Sequence, residues 1–229
     1  MLCLGGGSIC TATMDLLLKE GCKIAVLDTD RHCAVAERCR ECRSPDEIRF
    51  DDRAVLLVGD AISTAIDILE RTNIDLVVPG IPGHAAGKLA MAWGKGRMSP
   101  RGSMALLHEL NARLSGSGIA TMDPDGGTII ATLNTGPHPC PTDCSQKGVC
   151  PLTGLQRSLD LCDVLKDALD QMSIKNLVIR TVKVGIYGVI EGKDLVAMQN
   201  LLRGMVDGDA VAIATSCSCH AILNTFKVC

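Results

Sequence analysis

Three cysteines between residues 134 and 154 form the segment of this chain best suited to chemistry. Cys140, Cys144 and Cys150 lie in a stretch rich in Pro and Gly, which does not form regular helix or strand. Such a loop can wrap around a metal, because no regular backbone hydrogen bonds have to be broken. Cys140 and Cys150 are each followed by Pro, as in ligand runs of iron–sulfur proteins. Three thiolates also suit zinc with one further ligand. We therefore expect an iron–sulfur cluster, with zinc as the alternative.

A fourth ligand is offered near the end of the sequence by Cys217, Cys219 and His220. These residues follow the apolar run Ala210–Thr215, and the pattern predicts that they open a short helix. A helix N-terminus lowers the pKa of a thiol and favours the thiolate. We take Cys219 as the fourth ligand, with Cys217 and His220 as alternatives. The same thiols are also typical of a transferase that uses Cys217 or Cys219 as its nucleophile.

A glycine-rich loop near the start of the sequence has the spacing of a dinucleotide-binding loop. Gly5, Gly6, Gly7 and Ser8 follow a short apolar run and precede a helical pattern. Such a turn lets the backbone approach a pyrophosphate, which the helix N-terminus then attracts. Asp28 ends the next predicted strand, where a carboxylate binds a ribose hydroxyl. Because this carboxylate repels a 2′-phosphate, we expect NAD rather than NADP.

Residues 1–92 resemble the Rossmann-type NAD-binding regulatory domains of potassium transport systems (Trk or RCK type). The matching segments are Gly5–Ser8, Val26–Asp30, Val58–Ala61 and Asp75–Val78. The resemblance implies that the first loop holds phosphates, that Asp28 holds ribose, and that the turn at Gly59 and Asp60 lies near the adenine. It covers about 40% of the chain, ends after the fourth predicted strand, and does not extend to residues 100–229.

His84 is the candidate proton carrier, because it follows a turn rich in Pro and Gly after the fourth predicted strand. In open parallel sheets, ligands bind beyond the carboxyl ends of the strands. The glycine loop, the turn before His84, the cysteine segment and residues 217–220 each follow a predicted strand. We expect all four to line one cleft if the two halves share a sheet or if their sheets face each other.

Strands and helices alternate through the first half of the sequence. Apolar runs predict strands at Met1–Leu4, Ile24–Leu27, Ala54–Val58 and Leu76–Val78. Helical patterns lie between them, including a polar one over roughly Arg31–Arg43, and Ala85–Trp93 completes this half. This alternation indicates a parallel sheet with crossover helices.

The second half repeats the same kinds of pattern after a boundary rich in Gly and basic residues. Strands are predicted at Gly127–Leu133, Leu177–Val184 and Ala210–Thr215, and Leu155–Leu169 predicts a helix. The expected fold is therefore α/β, with parallel, doubly wound, Rossmann-like sheets in two linked halves. The first half, residues 1–98, is expected to bind the nucleotide, and the second, residues 99–229, carries the cysteine segment.

Composition excludes several classes of protein. Apolar residues make up 47% of the chain and charged residues 21%, as in ordinary globular proteins. The net charge is −3 and there are four aromatic residues, which argues against a nucleic-acid partner. No apolar run is long enough to span a membrane. The thirteen cysteines are an odd number in a chain that opens directly in a predicted strand, so we expect a reducing, cytoplasmic location.

These observations lead to one main functional hypothesis and two alternatives. The main one is redox chemistry or small-molecule transformation, by an iron–sulfur oxidoreductase or lyase that also binds NAD. One alternative is a nucleotide-sensing regulatory module with a structural zinc loop and no chemistry of its own. The other is the thiol-based transferase. The partner is a small-molecule ligand or substrate, and a homodimer is left open because doubly wound nucleotide-binding domains often dimerise.

Overall fold

The computed structural model describes residues 1–49, 51–100, 104–115, 119–133, 144, 148–154, 156, 159–172 and 174–229. In chain order the first elements are β1 (Leu2–Leu4), α1 (Ser8–Lys19), β2 (Ile24–Asp28), β3 (Arg40–Cys42), β4 (Ala54–Val58), α2 (Ala61–Arg71), β5 (Leu76–Pro79) and α3 (Ala85–Trp93). They continue with β6 (Met98–Ser99), α4 (Met104–Leu114), β7 (Ile119–Asp123), β8 (Thr128–Thr132), α5 (Leu161–Gln171), β9 (Lys175–Arg180), β10 (Val182–Val184), β11 (Tyr187–Glu191), α6 (Gly192–Arg203), β12 (Ala210–Ser216) and β13 (His220–Val228).

The chain divides into two units, and one of them is built from two separate segments of the sequence. Unit 1 consists of Met1–Ala92 and Val182–Leu195, and unit 2 of Trp93–Thr181 and Val196–Cys229. The chain first passes from unit 1 to unit 2 between Ala92 and Trp93, close to the expected boundary at residue 98. The return of residues 182–195 to unit 1 has no counterpart in the expected division into two continuous halves.

Unit 1 contains a mixed sheet whose strand order is β3-β4-β2-β1-β5-β11-β10. The pairs from β3 to β5 are all parallel, while β11 pairs antiparallel with β5 and with β10. The α/β class is confirmed, but the sheet is not purely parallel. After β1 the chain first builds the sheet on the β2 side and later returns to the other side with β5. The order of the strands therefore reverses at β1.

The helices of unit 1 cover the sheet through apolar positions one turn apart. Helix α1 buries Cys10, Met14 and Leu17 in a core cluster that contains Cys3 and Val26 of the sheet. Because side chains alternate along a strand, Leu2 and Leu4 of β1 point to the opposite face, and α2 contacts β1. No helix within the described ranges has the length and hydrophobicity needed to cross a lipid bilayer.

One predicted helix of unit 1 is absent from the described residues. Residues 31–43 instead contain a single 3₁₀ turn at Ala36–Arg38 and the short strand β3. The side chains of Asp28 and Asp30 accept the backbone N–H groups of Asp30 and His32, and such local bonds favour turns over a helix. The helix predicted from the polar pattern of residues 31–43 is therefore wrong.

Unit 2 contains a second mixed sheet, with the strand order β7-β8-β13-β12-β9 and β6 paired to β13. Among its described strands, β9 and β12 form the one parallel pair. The expectation of a second parallel, doubly wound sheet is therefore wrong. Helices α4 and α5 bury Leu110 and Leu165 against one face, together with Ala212 and Ala214 of β12.

Candidate functional site

Cys217, Ser218 and Cys219 form the turn of an antiparallel hairpin between β12 and β13. The two strands pair over seven residue pairs, from Ala210 with Lys227 to Ser216 with Ala221. The expected short helix at this place is wrong, because residues 220–228 continue as a strand that also pairs with β8. The four residues 217–220 carry no periodic pattern of their own, and the pairing of the residues that follow them with β8 and β12 selects a strand.

The turn directs three polar groups at the Cys217 sulfur. Its Sγ accepts the backbone N–H of His220 at 3.3 Å and that of Cys219 at 3.5 Å. The Nδ1 atom of the His220 ring lies 3.7 Å from the same sulfur. The backbone bonds hold the sulfur in one position, since they come from the turn itself and not from flexible side chains.

These contacts also change the acidity of Cys217. Burial raises the pKa of its thiol, but the contact with His220 and the two backbone N–H groups lower it by more. The net pKa of Cys217 therefore lies below the ordinary value of 9.0. A thiolate at this position is a better metal ligand and a better nucleophile than an ordinary cysteine.

Cys219, which the sequence favoured as a ligand, lies in the turn before β13 begins. Its carbonyl oxygen accepts the N–H of Leu133 at 2.8 Å, next to the pairing of His220 with Thr132. The Cys219 side chain is 5% exposed.

Residues on both sides of the cysteine segment are hydrogen-bonded to this same turn. Before the segment, Leu133 donates its N–H to the carbonyl of Cys219. After it, Leu161 donates its N–H to the carbonyl of Ser218 at 3.0 Å, and the Ser218 hydroxyl donates to Asp160 Oδ2 at 2.8 Å. The chain is therefore bonded to the turn at Leu133 and again at Asp160 and Leu161.

Asp160 connects the start of α5 to the turn, and none of the sequence motifs includes it. Its side chain caps α5 through the N–H of Cys162 at 2.9 Å and also accepts a bond from Arg180 at 2.9 Å. Burial raises the pKa of Asp160, but the bonds from Arg180, Ser218 and Cys162 lower it, and the net pKa is below 3.8. An Asp directly before an amphipathic helix is a recognisable capping signal, whereas its bond to Ser218 joins residues far apart in the sequence.

The other predicted metal ligands are only partly described. Cys144 and Cys150 are 5% and 8% exposed, and Cys140 lies outside the described residues. Within the described parts of the chain, no three side chains of His, Cys, Asp or Glu are grouped closely enough to hold a metal ion. The set of Cys140, Cys144, Cys150 and Cys219 therefore stays a prediction.

The glycine loop of unit 1 lies where β1 and β5 separate. Gly5 has a φ of 92°, in the region that favours glycine, and a Cβ there would come within 2.9 Å of the Gly80 carbonyl oxygen. The N–H of Gly6 donates to Asp28 Oδ2 at 2.6 Å. A Cβ at Gly6 would overlap the Cys33 sulfur, whereas Gly7, which precedes α1 and Ser8, has no atom within 4 Å of an added Cβ.

The remaining nucleotide-binding candidates lie at the same edge of unit 1. Gly59 donates its N–H to the carbonyl of Asp28 at 2.8 Å, so the turns after β2 and β4 are adjacent. Asp60 caps α2 by accepting the N–H and the hydroxyl of Ser63, which lower the pKa of its carboxyl group. The loops after the parallel strands therefore meet at one edge of the sheet.

His84, the candidate proton carrier, is a buried residue directly before α3. It is 7% exposed, and its carbonyl oxygen accepts the N–H of Lys88 at 3.0 Å. Its position follows β5 by five residues, at the same edge as the glycine loop. Its proposed role in proton transfer remains a prediction.

Comparisons with known proteins give one relative and one family. A protein of Archaeoglobus fulgidus described as "Uncharacterized protein" is 25% identical over 101 residues, which is 44% of this chain and 44% of that protein. No solved structure is significantly similar to the chain. A model of the family described as "Uncharacterized protein, C-terminal domain" matches residues 90–229, a range that contains the whole of unit 2. Because that match covers more than half of the chain, the chain belongs to this family.

Proposed function

We propose that this protein binds a metal centre in unit 2, at the tip of the β12–β13 hairpin. One observation carries the proposal: Leu133 before the cysteine segment and Asp160 and Leu161 after it are hydrogen-bonded to the turn that holds Cys217 and His220. The proposal is that thiols between these two anchors supply further ligands to a metal at the turn. The donor set fits a metal, since thiolate and imidazole are the ligands that zinc and iron–sulfur centres take.

The identity of the metal decides what the centre does. An iron–sulfur cluster, the expectation from the sequence, supplies electron transfer, or a Lewis acid if one position stays open to substrate. The protein is then an oxidoreductase or lyase acting on a small molecule. A closed zinc site with four protein ligands is structural, and the protein is then a nucleotide-sensing regulatory module.

Anaerobic purification with metal and sulfide analysis tests the proposal. We expect a stoichiometric metal in the full chain, with brown colour and acid-labile sulfide for a cluster, or one colourless zinc. Replacing Cys140, Cys144 and Cys150 by Ser, one at a time, lowers the metal content if the segment supplies ligands. Cys162, a buried cysteine at the start of α5, is the matched control. A metal-free protein from this preparation overturns the proposal.

We propose in addition that unit 1 binds NAD at the glycine loop, as a Rossmann-like fold does. Two observations support this: the strand order reverses at β1, and Gly5–Gly7 and Asp28 meet at that point. Ligands of open α/β sheets bind at such a reversal. The open space beside Gly7 leaves room for a pyrophosphate next to the start of α1.

Calorimetric titration with NAD and NADP tests the nucleotide proposal. A Cβ added at Gly7 has no protein atom within 4 Å, so we expect Gly7→Val to fill the open space and weaken NAD binding at least about tenfold, with a melting temperature close to that of the parent protein. Gly204→Ala, at the exposed residue after α6, is the control that leaves binding intact. Equal affinity of Gly7→Val and the parent protein would overturn this proposal.

Thiol chemistry at Cys217 is the competing function for the same turn. Its lowered pKa and the nearby His220 ring resemble a nucleophile with an adjacent base. A transferase of this kind reacts through the free thiolate, so added zinc inhibits it. A metal-dependent protein behaves in the opposite way.

A further inference from the structure

We infer that Cys217 and His220, and not Cys219, are the ligands through which the hairpin turn holds a single tetrahedral cation of the Zn²⁺ type. The inference rests on the proposed metal centre of unit 2 and names the ligands and the class of metal. It reverses the choice of Cys219 that the sequence favoured.

The distance between the two donor atoms fits a shared cation. Zinc bonds of about 2.3 Å to sulfur and 2.0–2.1 Å to nitrogen, at a tetrahedral angle, separate the two donors by about 3.6 Å. The Cys217 Sγ and His220 Nδ1 atoms are 3.7 Å apart. A cation can therefore be bound by both atoms with little movement of either side chain.

The backbone of the turn supports a charged sulfur at Cys217. Two N–H groups, of Cys219 and His220, already point at Sγ. They stabilise the thiolate that remains when the metal replaces the thiol proton, which passes to solvent. No change of oxidation state is involved.

Burial separates Cys219 from this pair. Cys219 is 5% exposed, whereas Cys217 and His220 are both half-buried. Ala221 packs against α4 and α5, so His220, the preceding residue of β13, points to the opposite face of the sheet. Ile130 on the neighbouring strand β8 is 53% exposed on that opposite face. A cation can therefore reach the Cys217–His220 pair from solvent, whereas the Cys219 side chain is buried.

The mixed donor pair also selects the class of metal. A thiolate and an imidazole separated by two residues in a turn are typical of zinc sites, whereas iron–sulfur clusters are held mainly by thiolates. Mg²⁺ and Ca²⁺ prefer oxygen ligands and bind weakly to sulfur. We therefore expect Zn²⁺ and Co²⁺ to bind and Mg²⁺ not to compete.

Co²⁺ and Zn²⁺ titrations of the full, chelator-treated and reduced chain test the inference. We expect Co²⁺ to produce tetrahedral absorption with a thiolate-to-cobalt band. Cys217→Ser and His220→Gln each weaken Zn²⁺ affinity about 100-fold or more, and Cys219→Ser leaves it at the parent level. His220→Cys keeps a donor at that position, so it retains binding and strengthens the thiolate band.

Each other outcome has a defined meaning. If the parent chain binds neither Zn²⁺ nor Co²⁺, the inference fails, and the metal and sulfide content of the anaerobic preparation decides separately whether the metal-centre proposal fails with it. If the parent chain binds metal but Cys217→Ser and His220→Gln bind it equally well, the inference alone fails. Loss of binding in Cys219→Ser with an unchanged melting temperature also overturns it. Retained binding by His220→Cys shows that a ligand, and not merely the fold, is lost in His220→Gln.

Discussion

At the scale of single residues, the cysteines of this chain differ because their surroundings differ. Burial raises the pKa of Cys33, Cys42 and Cys162, and it raises that of Cys39 to about 11. Cys217 is the opposite case, since hydrogen bonds from His220 and the turn outweigh its burial. Residue type alone therefore could not rank these thiols.

We expect a limiting amount of iodoacetamide to alkylate Cys217 before the other described cysteines in a metal-free, reduced Cys229→Ser background. The thiolate is the reactive form, and Cys217 is the thiol whose thiolate is stabilised by neighbours. His220→Gln slows this reaction by about 3- to 10-fold. Peptide mass spectrometry over time measures the order of labelling.

Added Zn²⁺ is the control for this labelling experiment. It protects Cys217 if the turn binds metal, and it leaves the control Cys162 unaffected. Preferential labelling of Cys219 or Cys162 would contradict the assignment of Cys217 as the activated thiol.

Asp160→Asn is expected to lower the free energy of unfolding by about 2 kcal/mol at pH 7, because charged hydrogen bonds to Arg180, Ser218 and the start of α5 are weakened. The native pKa of Asp160 lies below 3.8, so its stabilisation is fully present above pH 3.8 and is lost as the pH falls through the lower native pKa. Urea unfolding at several pH values measures the difference.

Asp163→Asn is the matched control for Asp160→Asn. Asp163 contacts the same Arg180 at 3.0 Å, but its side chain is 72% exposed. An exposed ion pair contributes about 0.5 kcal/mol or less. Equal effects of the two substitutions at pH 7 would show that the bond to Ser218 and the cap contribute nothing.

At the scale of elements, the glycine loop illustrates how a local motif depends on its neighbours. The spacing of Gly5, Gly6 and Gly7 is visible in the sequence, but the structural environment of the glycine differs at each of the three positions. Gly5 needs its positive φ and its close approach to Gly80, Gly6 lies against Cys33, and Gly7 faces open space. Of these three glycines, only Gly7 has open space beside it, so the test of the nucleotide proposal uses a substitution at Gly7.

Gly6→Ala is expected to destabilise the protein by about 1–3 kcal/mol, because its Cβ would overlap the Cys33 sulfur. Gly7→Ala has no such neighbour and leaves the melting temperature unchanged. Adding Cys33→Ala to Gly6→Ala restores part of the loss. Thermal unfolding of the parent protein, the two single variants and the double variant measures these differences. Equal melting temperatures for Gly6→Ala and Gly7→Ala would contradict the contact of Gly6 with Cys33.

At the scale of the whole molecule, unit 1 is completed by a segment from late in the chain. The continuous strand expected at Leu177–Val184 breaks at Thr181, so β9 joins the sheet of unit 2 and β10 joins that of unit 1. Strand β11 then pairs with β5, and Gly192 donates its N–H to the carbonyl of Asp75 at 2.7 Å. The stability of unit 1 therefore depends on a segment that begins about 90 positions after Ala92 in the sequence.

Gly192→Ala is expected to lower the free energy of unfolding by at least about 3 kcal/mol, because its Cβ would overlap the carbonyl of Ile74. Hydrogen exchange measured by mass spectrometry should rise in β5 and β11. Gly204→Ala, whose Cβ would meet its nearest atom at an ordinary 3.6 Å, is the control. Unchanged exchange in β5 after Gly192→Ala would contradict the role of this return segment.

The sequence by itself determined the elements whose pattern is local. It predicted β2, β4, β5 and α3, because apolar runs and helical spacing reflect burial within one segment. It also placed the glycine loop after β1 and Asp28 at the end of β2, since both depend on their immediate neighbours.

Only the tertiary structure decided the features that depend on pairing between distant segments. The apolar residues after Cys219 fit a short helix as well as a strand, and pairing with β8 and β12 selected the strand. That pairing brought His220 to Cys217, and the folded chain joined Leu133 and Leu161, on either side of the cysteine segment, to the turn. Hydrogen bonds between residues tens of positions apart leave no periodic signal in a single sequence, so these contacts became visible only in the folded chain.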